Sequence, residues 1–79
     1  MFSYNRKEFN DSPLGTIIMT KLDELNISQM QAAEMIGMKA NGFNGVIKGR
    51  FKPSDRTLFC ISSTFGIDVD VLKEAVKKE

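Results

Sequence analysis

Residues Gln29–Gly49 read QMQAAEMIGMKANGFNGVIKG, and the spacing of small and apolar residues within them decides the fold. Ala33 stands four residues after Gln29, Gly37 four after that, and Met38, Phe43 and Val46 follow. This is the pattern of two short helices joined by a tight turn. Alanine suits a close helix crossing, since a larger side chain would push the axes apart. Glycine suits the turn, where the chain leaves helical geometry, often with φ > 0. Phe43, Val46 and Ile47 then press the second helix back onto the first, leaving Lys39, Ala40, Asn41, Asn44, Gly45 and Lys48 as its outward side.

Working outward, Ser12 and Pro13 read as N-cap and first residue of a preceding helix. Leu14, Ile17, Ile18, Leu22 and Leu25 recur there at helical spacing and define one buried face. Asn26 and Ile27 form a break. Ser28, followed three residues later by Gln31, makes a capping box, so the next helix starts at Ser28 or Gln29, with Met30, Ala33 and Met35 or Ile36 inside. The third helix spans roughly Lys39 to Lys48 and holds weak helix formers, Asn41, Gly42, Asn44 and Gly45, each glycine costing roughly 1 kcal/mol relative to alanine. Gly42 and Gly45 either permit a close approach or are merely tolerated. Gly49 closes this helix.

Beyond it, Ser54 caps a fourth helix whose inner stripe is Leu58, Ile61 and Phe65, with Cys60 expected to be buried nearby as a small hydrophobe. Gly66 ends that helix. Asp68 caps a fifth, lined by Val69, Leu72 and Val76, with Lys73, Lys77 and Lys78 toward its C-terminus, where the helix dipole favours cations. The expected fold class is therefore all-α: five helices in one domain, residues 12–79. Residues 1–11, with Phe2, Tyr4 and Phe9 at no clean period, form an N-terminal arm or extension.

Seventy-nine residues suit a single domain, and 42% apolar content is enough for its core. No apolar run approaches the ~20 residues of a membrane span. With one cysteine, Cys60, and no histidine, neither an internal disulfide nor a zinc site is expected, and a reducing, cytoplasmic setting fits. No cofactor or small-molecule ligand is implied. Catalysis is not expected, since there is no histidine, no P-loop ending after Gly49 and no carboxylate pair in an evident cleft.

The net charge is only +1, but it is unevenly placed. Residues 1–38 carry three Lys/Arg against five acids, and residues 57–79 carry three against four. Residues 39–56 hold Lys39, Lys48, Arg50, Lys52 and Arg56 against Asp55 alone. Positive charge thus gathers on the third helix and the loop after it, the footprint of a nucleic-acid binder or simply of a solvated basic loop.

The stretch Gln29–Gly49 resembles the helix-turn-helix of the phage repressor and Cro type, the XRE family, and Leu14 to Leu72, about three quarters of the chain, follows that family's run of five helices. The resemblance implies a lambda-repressor-like domain that binds double-stranded DNA as a transcriptional regulator, with the third helix in the major groove. Base contacts would then come from Ala40, Asn41, Asn44, Gly45 and Lys48. Asparagine is able to pair bidentately with adenine, and alanine to touch a thymine methyl. Phosphate contacts would come from Gln29, Lys39, Arg50 and Lys52. Gln29 has a second implied role, buttressing the reading helix. Phe51 reads as a core plug. A basic N-terminal arm of the kind some family members have would give Arg6 and Lys7 phosphate contacts, but residues 1–11 read rather as an end partly ordered by its aromatics that touches no DNA. In this family the last helix commonly packs against its twin, so a homodimer is implied, which the sequence allows without requiring.

Two other readings stand beside it. One is a protein-interaction module or antirepressor that keeps the fold without binding DNA, motivated by the near-neutral total charge and the short side chains of the third helix. The other takes Gly42-Phe43-Asn44-Gly45 as the GXXG loop of a KH-type RNA binder, a fold that also needs strands.

Overall fold

Ser12 has an extended backbone and its Oγ accepts the Gly15 N–H at 3.0 Å. It is the N-cap of α1, Pro13–Leu25, in the computed structural model, which describes residues 12–50 and 52–78. Four further helices follow: α2 at Gln29–Met35, α3 at Ala40–Lys48, α4 at Asp55–Phe65 and α5 at Val69–Lys77. The chain is all-α in the described residues. They contain no strand, so the sheet that a KH-type fold requires has no counterpart among them.

Three of the four connections follow one local recipe: a residue with positive φ, an apolar residue, then the N-cap of the next helix. They are Asn26-Ile27-Ser28, Gly37-Met38-Lys39 and Gly66-Ile67-Asp68, with φ of 60°, 75° and 73° at the first position. In each, the N–H of the apolar residue turns back to the preceding helix. Ile27 donates to the Leu22 carbonyl at 3.1 Å, Met38 to that of Ala33 at 2.9 Å, and Ile67 to that of Ser62 at 3.2 Å. This satisfies carbonyls that a helix end leaves orphaned. It also tucks the apolar side chain inward: Ile67 is buried, and Ile27 and Met38 pack half-buried against the core. The expected capping box at Ser28 is present, with Ser28 Oγ accepting the Gln31 N–H and Gln31 Oε1 accepting the Ser28 N–H.

The core is a single cluster centred on α1. Leu14, Ile18 and Leu22 meet Ala32 and Ala33 of α2, Phe43, Val46 and Ile47 of α3, Leu58, Ile61 and Phe65 of α4, and Leu72 and Ala75 of α5. α3 packs on α1 and α2, while α5 packs on α1 and α4. Val69 and Val76, expected on the inner side of α5, are half-buried at its edge.

Some side chains depart from the expected faces. Met30 and Met35 are 65% and 54% exposed, because the short α2 meets its neighbours along Ala32 and Ala33 and turns both methionines away. Leu25 is exposed at the last residue of α1, beyond Leu22, the final buried position. Cys60 is also exposed, contrary to its expected burial. Each helical residue turns by about 100°, so with Leu58, Ile61 and Phe65 inward Cys60 falls on the outer side. Helix α3 begins at Ala40, one residue later than expected, since Lys39 has the extended backbone of an N-cap. No helix among the described residues is long and apolar enough to cross a membrane.

Candidate nucleic-acid interface

Helix α3 is not stable by composition. Nine residues are too few for an isolated helix in water, and two glycines subtract roughly 2 kcal/mol relative to alanine. Three side chains on its inner side reverse the balance. Phe43, Val46 and Ile47 are at most 1% exposed, and burying each is worth about 1.5–3 kcal/mol. Packing therefore holds α3 from behind and leaves Ala40 and Asn41 at its start exposed.

Both ends of the helix are tied to the scaffold. At the C-terminal end the Ile47 carbonyl oxygen accepts two hydrogen bonds from Ser12, one from its backbone N–H at 2.9 Å and one from its hydroxyl at 3.0 Å. Gly49 then closes the helix with φ of 78°, and the Arg50 N–H returns to the Gly45 carbonyl at 2.9 Å. At the N-terminal end, Met38 crosses from the turn, and Lys39 occupies the N-cap without a side-chain hydrogen bond to the helix. Serine, threonine, aspartate or asparagine would satisfy a free N–H there, so local stability does not account for lysine.

Of the expected base-contacting residues, Ala40 and Asn41 are exposed. Asn44 and Lys48 are half-buried. Gly45 is buried, which corrects its outward placement: it has no side chain to reach past its neighbours, and they cover its backbone. Asn44 is turned partly inward because its Nδ2 donates to Gln29 Oε1 at 3.1 Å. Gln29, the first residue of α2, in turn donates from Nε2 to Met19 Sδ on α1 at 3.6 Å. One glutamine amide thus links three helices. The buttressing expected of Gln29 has this geometry, although the sequence did not indicate Asn44 or Met19 as its partners.

The expected phosphate-contacting cations Lys39, Arg50 and Lys52 are exposed, as is Arg56 at the start of α4. None of these four has a carboxylate partner among the described residues, where ion pairs join Lys21 to Glu24 on α1 and Lys77 to Glu74 on α5. Among the described residues no acid neutralises them. Arg6, Lys7 and Phe51 lie outside the described residues.

Sequence reasoning also missed Gly15, where a β-carbon would run into the Ile47 carbonyl near the end of α3. The glycine's place in the first turn of an otherwise well-formed helix, where alanine would be the better helix former, is the signal that marks it.

Among the described residues these elements make an all-α arrangement of five helices, in which a short helix, joined by a tight turn to the one before it, is held against the core with a polar and basic outer side. No family model matches the chain, and no solved structure matches it. The chain is similar to the ImmF control region 10 kDa protein of Bacillus phage phi105, with 33% identity over 60 residues that cover 76% of this chain and 67% of that protein. It belongs to that protein's family.

Proposed function

We propose that the chain is a sequence-specific DNA-binding regulator of the phage repressor and Cro type, acting as a repressor by occupying an operator with α3 in the major groove. The observation that carries this reading is the pairing of an α3 packed from behind, exposing Lys39, Ala40 and Asn41, with the exposed cations Arg50 and Lys52 just beyond its end, which have no carboxylate partner among the described residues. The relative described as a phage control region protein supports a regulatory role.

In this mechanism Asn41 and Asn44 meet adenine edges, Ala40 lies against a thymine methyl, and Lys48 reaches an acceptor on a base. Gln29, Lys39, Arg50 and Lys52 hold phosphates on either side and fix the register of α3. Gln29 retains one N–H for this after its bonds to Asn44 and Met19. A homodimer would place two copies of α3 one DNA turn apart, roughly 34 Å, on a near-palindromic site.

Charge reversal tests the reading. Arg50→Glu with Lys52→Glu is expected to lower affinity for duplex DNA by at least about tenfold at moderate salt. Lys77→Glu with Lys78→Glu, on and after α5, serves as the control of equal charge and is expected to change it much less. Equal losses from the two pairs would contradict the placement of DNA on α3.

A further inference from the structure

Met19 lies on α1, and neither the buried core nor the DNA contacts described above require a thioether there. Met19 is half-buried, and its sulfur lies 3.6 Å from the Nε2 of Gln29. A thioether has lone pairs and no proton to give, so it accepts and never donates. The amide nitrogen of Gln29 must therefore face Met19, which leaves the amide oxygen facing Asn44 at 3.1 Å. Asn44 answers with one N–H of its Nδ2. What Asn44 then presents away from Gln29 is its Oδ1 and its second N–H, one acceptor and one donor.

The opposite amide orientation would have a different outcome. With Gln29 Nε2 toward Asn44, Asn44 would accept through Oδ1 and present its two N–H groups outward. In the major groove adenine offers a donor at N6 beside an acceptor at N7, whereas guanine offers two acceptors, O6 and N7. The first orientation of Asn44 complements adenine and the second complements guanine.

We propose that Met19 is a specificity-determining positioning residue: by fixing the orientation of the Gln29 amide, its thioether sets Asn44 to read adenine rather than guanine. The inference rests on the DNA-binding reading above. It goes beyond that reading in naming the residue that, without touching DNA itself, enforces the choice of adenine by Asn44.

The test is selection of binding sites from a random duplex pool by the wild-type chain and three variants, with circular dichroism to verify folding. Sites selected by the wild type are expected to carry adenine at one position whose preference Asn44→Ala removes. Met19→Leu keeps the volume and deletes the acceptor, and is expected to reduce the adenine-over-guanine preference at that position roughly tenfold, with affinity for unrelated duplex little changed. Met19→Lys replaces an acceptor with a donor and is expected to move the preference toward guanine, an effect that loss of packing does not produce and that should vanish when Asn44→Ala is added, whereas a direct contact from the new lysine would survive it. Adenine preference surviving in both Met19 variants would overturn the inference and leave the DNA-binding reading standing, whereas failure of the wild type to bind duplex would overturn both. Without DNA, the side-chain amide resonances of Gln29 and Asn44 are expected to shift together on Met19→Leu; unchanged resonances would overturn the inference independently of DNA binding.

Discussion

Gly15 and Ile47 bring α1 and α3 into backbone contact: a β-carbon on Gly15 would stand 2.8 Å from the Ile47 carbonyl carbon and 2.9 Å from its Cγ2. The same Ile47 carbonyl oxygen receives both Ser12 hydrogen bonds, so the start of α1 and the end of α3 are joined at one point. Gly15→Ala should gain about 1 kcal/mol of helix propensity. Overpacking against a backbone that cannot rotate away costs about 1–3 kcal/mol and outweighs it. The expected result in urea is a lower midpoint with little change in slope. If duplex binding is measured as well, it should weaken more than stability alone requires, because α3 is the element displaced.

Gly37 and Gly42 flank the turn and should respond in opposite directions. Gly37 has φ of +75°, and a β-carbon there would meet nothing within 4 Å, so Gly37→Ala is strained by its backbone alone and should destabilise by about 1 kcal/mol. Gly42 lies within α3 without a positive φ, and its β-carbon would meet only Met38 Cε at an ordinary 3.5 Å. Gly42→Ala should stabilise by up to about 1 kcal/mol and raise the midpoint of thermal unfolding by about 4–8 °C.

Lys39 sets local stability against the proposed contact with DNA. Serine at this N-cap would supply the missing side-chain acceptor and stabilise α3 by about 0.5–2 kcal/mol. The same change removes a cation from the groove-facing end of the helix. Lys39→Ser should therefore unfold at higher temperature yet bind duplex more weakly, with the slope of log K against log salt reduced by about one unit. A variant both more stable and equally tight would show that Lys39 makes no phosphate contact.

The helices and their connections were readable because their signals are local. A residue able to take positive φ, an apolar residue and a cap, as in Asn26-Ile27-Ser28 and Gly66-Ile67-Asp68, fix a helix end within three positions. The inner stripes of α1, α3 and α4 were likewise written in periodicity. What period alone leaves undetermined is how wide the covered face is and what covers it. Leu25, Met30 and Met35 have apolar side chains near the expected faces, but no helix among the described residues covers them. Gly45 falls outside the inward stripe of Phe43, Val46 and Ile47, whereas α3 is covered on two sides, by α1 and α2. The Gln29–Asn44 bond and the Gly15–Ile47 approach join residues far apart in sequence and become visible only when the helices are assembled.

The most direct measurement is the affinity of the wild-type chain for duplex DNA from a random pool, taken at several salt concentrations between about 50 and 200 mM. With Lys39, Arg50 and Lys52 each neutralising a phosphate, log K should fall against log salt with a slope of roughly −2.7 per protomer, about twice that for a dimer, and the bound pool should converge on a common sequence. An affinity that stays flat across that range, or a bound pool no different from the starting one, would contradict DNA recognition by α3.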